Sequence, residues 1–290
     1  MPTRLPGAPG VIVTCGLVGE SRTVLTTGAN SGIGLAAVLE LARRGFHSVG
    51  TVRSEEKAEI VAKAAADAGV VVATELLDVT DPVACARVID AHRPWGLVNN
   101  AGYSIAGSIE DVRDDEARAA FETMVLAPMR LARHALLHMR SDGGGRIVNI
   151  SSIYGRTTTP LSGWYQGTKH ALEALSDALR MEVARDGVRV ILVEPGGFKT
   201  GIWEETEREI AKREGSRYDA AYRRTLLNTR LFQPLMGDPA QCAKVIGAAL
   251  TTRLPRTRYL VGYDAQALAL WSSLTPTQVK DRIIRIAMSL

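Results

Sequence analysis

The strongest constraint on this chain is an alternation that runs from Thr23 to Val193. Short apolar runs are separated by longer stretches whose apolar residues recur every three or four positions. Runs of that length between turn residues predict buried strands, and the longer pattern predicts amphipathic helices. The expected strands are 23–27, 47–52, 70–77, 96–99, 146–151 and 188–193. The expected helices end near Arg44 or span 54–68, 82–91, 114–140 and 164–185. In the first helix, Ile33, Ala37 and Leu41 mark the inward stripe. A strand followed by a helix and another strand returns to the same edge of a sheet, so the strands should be parallel and covered by helices on both faces. The prediction is an α/β chain with a doubly wound parallel sheet, and 290 residues suit a single domain.

Three segments fall outside that rhythm. Residues 1–20 read as an N-terminal extension ahead of a domain covering 21–290. Residues 201–237 are charged and helical, with Glu204/Arg208 and Glu209/Arg213 four apart. They follow the sixth strand, on the edge where ligands of such sheets sit, and read as a substrate lid. A plain solvated helix pair is the alternative. Arg258 to Val261 could add a last strand. The amphipathic tail through Trp271 and Ile283 to Leu290 is expected to pack on its own domain, a partner subunit or a membrane surface being the alternatives.

Hydrophobic residues make up 46% and charged residues 23%, as in a globular protein with a sizeable core. The net charge of +4 comes with no run of Lys or Arg, which argues against a nucleic-acid partner. Cys15, Cys85 and Cys242 are widely separated and form no CxxC, so neither a disulfide framework nor a zinc site is expected. No apolar run reaches the ~20 residues of a membrane span. The expected location is cytoplasmic, with no metal and no integral membrane segment.

The chemistry-bearing residues cluster at the ends of the predicted strands. Thr27-Gly28-Ala-Asn30-Ser31-Gly32-Ile33-Gly34 lies between a strand and a helix. Glycines there let a backbone approach a pyrophosphate, and the helix N-terminus offers free N–H groups. The second strand ends on Val52 and Arg53, where an NAD-binding chain places an acid for the ribose 2′-hydroxyl. Glu55 is 21 residues past Gly34 but falls at a helix start. Arg53 could instead pair with a 2′-phosphate, so the expected cofactor is NADP rather than NAD. Asp78, at the end of the third strand, suits an adenine amino group or, equally, a helix cap. Tyr165 and Lys169 are four apart on one helix face, and Ser152 lies thirteen positions before the tyrosine. A nearby ammonium should lower the phenol's pKa from its usual ~10 and make it a usable acid or base.

These pieces, together with Asn99-Asn100-Ala101-Gly102 and Pro195-Gly196, resemble the short-chain dehydrogenase/reductase family over roughly 22–261. Pro255 to Gly262 and the lid are similar to its 17β-hydroxysteroid and retinol dehydrogenase-like branch. The resemblance implies a Rossmann-type fold and an NADP-dependent oxidoreductase interconverting a secondary alcohol and a ketone. It implies that Tyr165 exchanges the proton, Lys169 tunes Tyr165 and holds the nicotinamide ribose, and Ser152 binds the substrate oxygen. Cofactor contacts are expected from Gly28, Asn30, Ser31, Gly32, Ile33, Gly34, Arg53, Asp78, Val79, Asn100, Ala101, Gly102, Tyr165, Lys169, Pro195, Gly196, Phe198 and Thr200. Substrate contacts are expected from Ser152, Tyr154, Trp164 and Tyr165. The aromatic and apolar residues Tyr103, Ile153, Tyr154, Trp164, Phe198 and Trp203 suggest a lipophilic substrate. His134, His138 and His170 read as helix-surface residues. Helices 114–140 and 164–185 resemble the pair that joins subunits in the family, so a homodimer or homotetramer is expected. One departure stands out: Met124 occupies the position where the family usually carries an Asn that supports a proton-delivering water. Reduced but real activity follows as the expectation, with a cofactor-binding regulatory or scaffold protein as the alternative reading.

Overall fold

The structure is a computed structural model and describes residues 22–290. The expected extension, with Cys15, lies outside those residues. Seven strands form one parallel sheet in the order β3-β2-β1-β4-β5-β6-β7. They are β1 (Thr23–Thr27), β2 (His47–Val52), β3 (Ala73–Leu76), β4 (Gly96–Asn99), β5 (Gly145–Ile150), β6 (Val188–Pro195) and β7 (Arg258–Val261). The order reverses between β1 and β4, which opens a crevice at the carboxyl ends of those strands.

Helices α1 (Gly32–Arg43), α2 (Glu55–Asp67), α3 (Pro82–His92), α4 (Asp114–Phe121), α5 (Ala127–Ser141) and α6 (Gly163–Glu182) follow in chain order. Then come α7 (Ile202–Ala211), α8 (Asp219–Phe232), α9 (Pro239–Thr251), α10 (Tyr263–Leu274) and α11 (Thr277–Met288). The sheet is buried on both faces, which explains its near-continuous apolar strands. On one face Leu25, Val49, Leu97 and Ile147 meet Val88, Ile89, Leu131 and Met139. On the other, Val24, Val98, Val148 and Ile191 meet Ala37, Leu41, Ile246 and Leu250.

Three boundaries differ from the sequence expectation. The third strand begins at Ala73 rather than Val70, with Val71 exposed. Its partner β2 reaches β3 only from Val49 onward, so the earlier residues have nothing to pair with. The sixth strand runs on to Pro195, because β7 pairs with it through Val261. The helix expected over 114–140 is broken by a wider π-helical turn, Glu122–Leu126, centred on Met124. Such one-turn insertions recur at functional positions.

Helices α7 and α8 are packed on the loop that follows β4. Ala106, Leu161, Ile210, Ala221 and Tyr222 form a small apolar cluster. Tyr222 donates to Asp111 at 2.6 Å, and Arg213 donates to both carboxylate oxygens of Glu116 at 3.0 and 2.9 Å. The Glu209–Arg213 pair expected from spacing is longer, 3.6 Å. A nearly buried arginine thus ties this segment to the loop after β4, while Leu227, Leu231 and Phe232 of α8 stay exposed. The tail packs on its own domain, with Met288 of α11 against the same cluster. Among the described residues, no helix is long and apolar enough to cross a membrane.

Candidate active site

The turn after β1 is shaped by close approach. Gly28 and Gly32 have φ of +67° and +52°, conformations that favour glycine. A Cβ on Gly34 would lie 2.2 Å from the Gly28 carbonyl oxygen and 2.5 Å from Asn100 Nδ2. Gly34 is thus the point where α1 presses onto the turn. Asn100 closes the arrangement by donating its amide to the carbonyls of Thr27 and Gly28, at 2.9 and 3.1 Å. The Thr27 hydroxyl accepts from the backbone N–H of both Asn100 and Ala101, each at 3.0 Å. Thr27 was quoted in the sequence motif without a role; it fastens the ends of β1 and β4 together.

A cavity of about 580 Å³ opens beside this turn, lined by Gly32, Lys199, Thr200, Gly201, Trp203 and Glu204 among others. Thr200 packs directly on Gly32, where an added Cβ would sit 3.0 Å from its methyl group. The N-terminus of α1, backbone glycines, a lysine and a threonine hydroxyl suit a diphosphate chemically. The residues present therefore fit the dinucleotide the turn implies. Within the turn Asn30 is half-buried and Ser31 exposed, while Ile33 packs inward against the core.

Just past the end of β3, Asp78 accepts from the backbone N–H and hydroxyl of Thr80, at 2.9 and 2.7 Å. Those bonds, with the Arg53 charge nearby, hold its carboxyl below the usual range. The helix-cap alternative for Asp78 is excluded, since Asp81 accepts from Val83 and Ala84 and caps α3. Arg53 is exposed at the end of β2, and Glu55 opens α2. Val79 turns its side chain into the core and its carbonyl to Arg130.

Tyr165 and Lys169 share one face of α6, under the end of β5. The Lys169 ammonium is buried and donates to the Ile150 carbonyl at 2.9 Å, 5.6 Å from the centre of the Tyr165 ring. Burial pushes the Tyr165 phenol up to about 12, opposed by a hydrogen bond from Ser152. Burial pushes Lys169 down to about 8, opposed by the Glu173 carboxylate. This corrects the expectation that the ammonium lowers the phenol: desolvation dominates both groups, and the ammonium is directed at a carbonyl. The Ser152 hydroxyl also accepts from the Tyr154 backbone N–H at 3.2 Å.

A polar chain holds these elements in place. Asn99 donates to Asn149 at 2.8 Å, Asn149 to Ser176 at 2.8 Å, and Ser176 to the Leu172 carbonyl at 2.6 Å. It ties β4, β5 and α6 together near Ser152, Tyr165 and Lys169. Beside it, Arg258 of β7 approaches Glu173 at 3.1 Å, Asp177 at 2.5 Å and the fully buried Glu194 at 3.2 Å. Arg156 reaches Glu194 at 3.4 Å. Burial raises both glutamates above the usual carboxylate range. None of Asn149, Ser176, Glu173, Glu194 or Arg258 was singled out from sequence. The available signal was a polar residue inside an apolar strand, as at Asn149 and Glu194.

The expected pocket aromatics divide. Tyr103, Trp164 and Tyr165 pack around Ile105, Ala120 and Met124. Trp164 donates its indole N–H to the Ile109 carbonyl at 3.3 Å, and Trp203 to that of Phe198 at 2.7 Å. Phe198 itself is a correction: it is 3% exposed, wedged against Gly237 within the second core cluster. Ile153 is buried as well. The turn 195–197 is drawn toward the C-terminal segment, with Gly196 N–H donating to Val261 and Gly197 N–H to Asp264. Met124 is buried against Gly102 and Thr168, filling the space at the π-helical turn with a thioether.

Comparison with known proteins agrees with this geometry. The short chain dehydrogenase family matches residues 22–211. An uncharacterized oxidoreductase of Bacillus subtilis, YusZ, is 34% identical and covers 92% of this chain and 98% of its own length. Retinol dehydrogenase 7 of Rattus norvegicus is 31% identical, over 91% of this chain and 88% of its own. Among solved structures, L-sorbose reductase of Gluconobacter frateurii, complexed with NADPH and L-sorbose, superimposes with a TM-score of 0.70 at 27% identity, covering 83% and 95% of the two chains. With a glycine turn, a serine, and a tyrosine and lysine one helical turn apart set on such a sheet, this chain belongs to the short-chain dehydrogenase/reductase family, in the branch that includes retinol and 17β-hydroxysteroid dehydrogenases, and is an NAD(P)-dependent oxidoreductase.

Proposed function

We propose that this enzyme interconverts a lipophilic secondary alcohol and its ketone with NADP, using Tyr165 as the acid and base. The observation that carries the reading is the buried Lys169 ammonium 5.6 Å from the Tyr165 ring, one turn along the same helix, with the Ser152 hydroxyl bearing on the phenol. NADP would lie along Gly28, Gly32, Gly34 and Thr200, with Asn100, Ala101 and Gly102 beneath it and Asp78 and Arg53 at the adenosine end. When bound, its nicotinamide supplies or accepts the hydride. With its pKa near 12, Tyr165 is a neutral phenol throughout the physiological range and holds the proton that a reduced carbonyl needs. Ser152 orients the carbonyl oxygen and stabilises its developing charge. Lys169, below its pKa of about 8, places a positive charge beneath the site.

The lipophilic substrate rests on Tyr103 and Trp164, which pack in one cluster with Tyr165, and on the likeness to retinol dehydrogenase. Helices α7 and α8, clamped by Arg213 and Tyr222, act as the roof of that pocket. The 2′-phosphate preference rests on exposed Arg53 and on the NADPH-bound relative. Exposed Leu126, Leu137 and Leu175 on α5, α6 and the π-helical turn support assembly into a homo-oligomer through those elements.

Two measurements test the reading. Fluorescence titration should show NADPH binding ahead of NADH by about tenfold, a gap that Arg53→Ala closes. Tyr165→Phe should lower turnover on a panel of apolar ketones by roughly 10²–10⁴ while NADPH binding persists. Equal binding of NADH would remove Arg53 from its role. Unchanged turnover in Tyr165→Phe would remove the mechanism, and NADPH binding without turnover in the native chain would favour a regulatory protein.

A further inference from the structure

The far edge of the sheet, where the strands begin, carries a second polar cavity of about 270 Å³. Its lining includes Arg22, Arg146, Arg189 and Arg253, with Trp95, Gly143, Gly144, Gly145 and Gly187. Sheet register explains the convergence. Arg146 of β5 pairs with Arg189 of β6, so both side chains leave the same face. Gly96, opposite Arg146 on β4, adds no side chain. Gly143, Gly144 and Gly187 have φ of +83°, +125° and +72°, and a Cβ on Gly144 would meet the Gly187 carbonyl at 2.7 Å. The two loops are therefore pressed together into a floor with no side chains of its own.

The charge here is uncompensated. Among the described residues, no carboxylate pairs with any of the four arginines. Arg146 is nine-tenths buried; one of its nitrogens donates to the Ala249 carbonyl, and the Arg22 and Arg189 charges bear on it. Arg22 lies 4.3 Å from the centre of the Trp95 ring, which also stacks on Phe46. That contact preorganises a guanidinium at the rim and leaves the indole committed, so the cavity offers no stacking platform for a base. Arg146 also lies 5.5 Å from the centre of the Trp95 ring, while Arg22, Arg189 and Arg253 are exposed and free to close on a ligand; four clustered guanidiniums without a paired acid favour an anion.

We propose that this cavity is a binding site for a small, multiply charged oxyanion of the phosphate class. It is separate from the dinucleotide site: β5 runs from Gly145 at this cavity to Ile150 beside Lys169, and five steps of ~3.3 Å place the two ends roughly 17 Å apart. Inorganic phosphate and pyrophosphate fit the charge and the size, and neither needs an aromatic contact.

The test uses the full chain with NADPH present in excess, so that phosphate cannot report from the glycine turn. Calorimetric titrations with phosphate and with pyrophosphate are compared with sodium chloride at matched ionic strength. The expected result is saturable binding with pyrophosphate the tighter ligand. Arg189→Ala/Arg253→Ala, at two exposed positions, should weaken it by about tenfold or more and leave NADPH affinity unchanged. No heat beyond that of sodium chloride would overturn the proposal. So would binding that the double substitution leaves intact, because the oxyanion would then sit elsewhere. Should NADPH itself fail to bind, the double substitution still decides the matter, since only the far cavity contains Arg189 and Arg253.

Discussion

Replacing Arg258 by Met should destabilise the enzyme in a way that depends on pH. Arg258 is the shared cation for Glu173 at 3.1 Å, Asp177 at 2.5 Å and Glu194 at 3.2 Å, and Glu194 is fully buried. Removing one partner of such a network strands buried charge, at a cost of about 3–5 kcal/mol. Unfolding entropy of about 2.1 cal/mol/K per residue converts that cost, for a chain of this length, to a fall in Tm of about 5–8 °C. The sign with pH follows from the direction of the shifts. Burial holds both glutamates above their unfolded values, so each favours the fold fully at low pH and loses that contribution as pH rises through its folded pKa. Loss of Arg258 raises both further. The deficit should therefore be smaller at pH 5 than at pH 8, because the carboxyls hold their protons more fully at the lower pH. Thermal melts of native and variant protein across that range provide the assay, and Arg258→Met/Glu194→Gln should recover part of the loss at pH 8. A deficit of equal size at pH 5 and pH 8 would refute the electrostatic account and leave only lost packing.

Gly34→Ala should abolish NADPH binding and cost stability of about 1–3 kcal/mol or more, because the methyl group would lie 2.2 Å from a backbone oxygen that cannot retreat; denaturant titration and fluorescence titration check the two parts. The alkaline limb of the kcat/KM profile should have its midpoint near pH 8, where Lys169 loses its proton, far below the ordinary lysine value. Glu173→Gln should move that limb to lower pH, since Glu173 supports the ammonium; a limb at pH 10 or above would contradict the desolvated lysine. Met124→Asn should lower stability by roughly 2–5 kcal/mol, as a buried thioether against Gly102 and Thr168 gives way to an amide. The same substitution should raise turnover under proton-limited conditions, and unchanged turnover would mean that position 124 does not limit proton supply.

Much of this protein is legible in one dimension, for a physical reason. Strands buried on both faces must be apolar throughout, and helices that cover them must carry a stripe, so period and length alone place β1, α1, β2, α3, β4, α6 and most of β6. The glycine turn is legible because φ near +60° and backbone contact exclude side chains at Gly28, Gly32 and Gly34. Tyr165 and Lys169 are legible because four residues make one helical turn.

What sequence alone left undecided depends on distance along the chain. Arg258 finds Glu173 and Glu194 only after β7 joins β6, and Arg213 finds Glu116 across 97 residues. Phe198 looks like pocket until Gly237 and Gly262 close over it. The break at Met124 has local residues but a tertiary cause, since the π-helical turn lies where that helix packs on α6. The Tyr165 phenol departs from the sequence expectation for the same reason. Spacing reveals which charges are neighbours, but burial belongs to the folded whole, and in a dry site it outweighs a neighbouring charge.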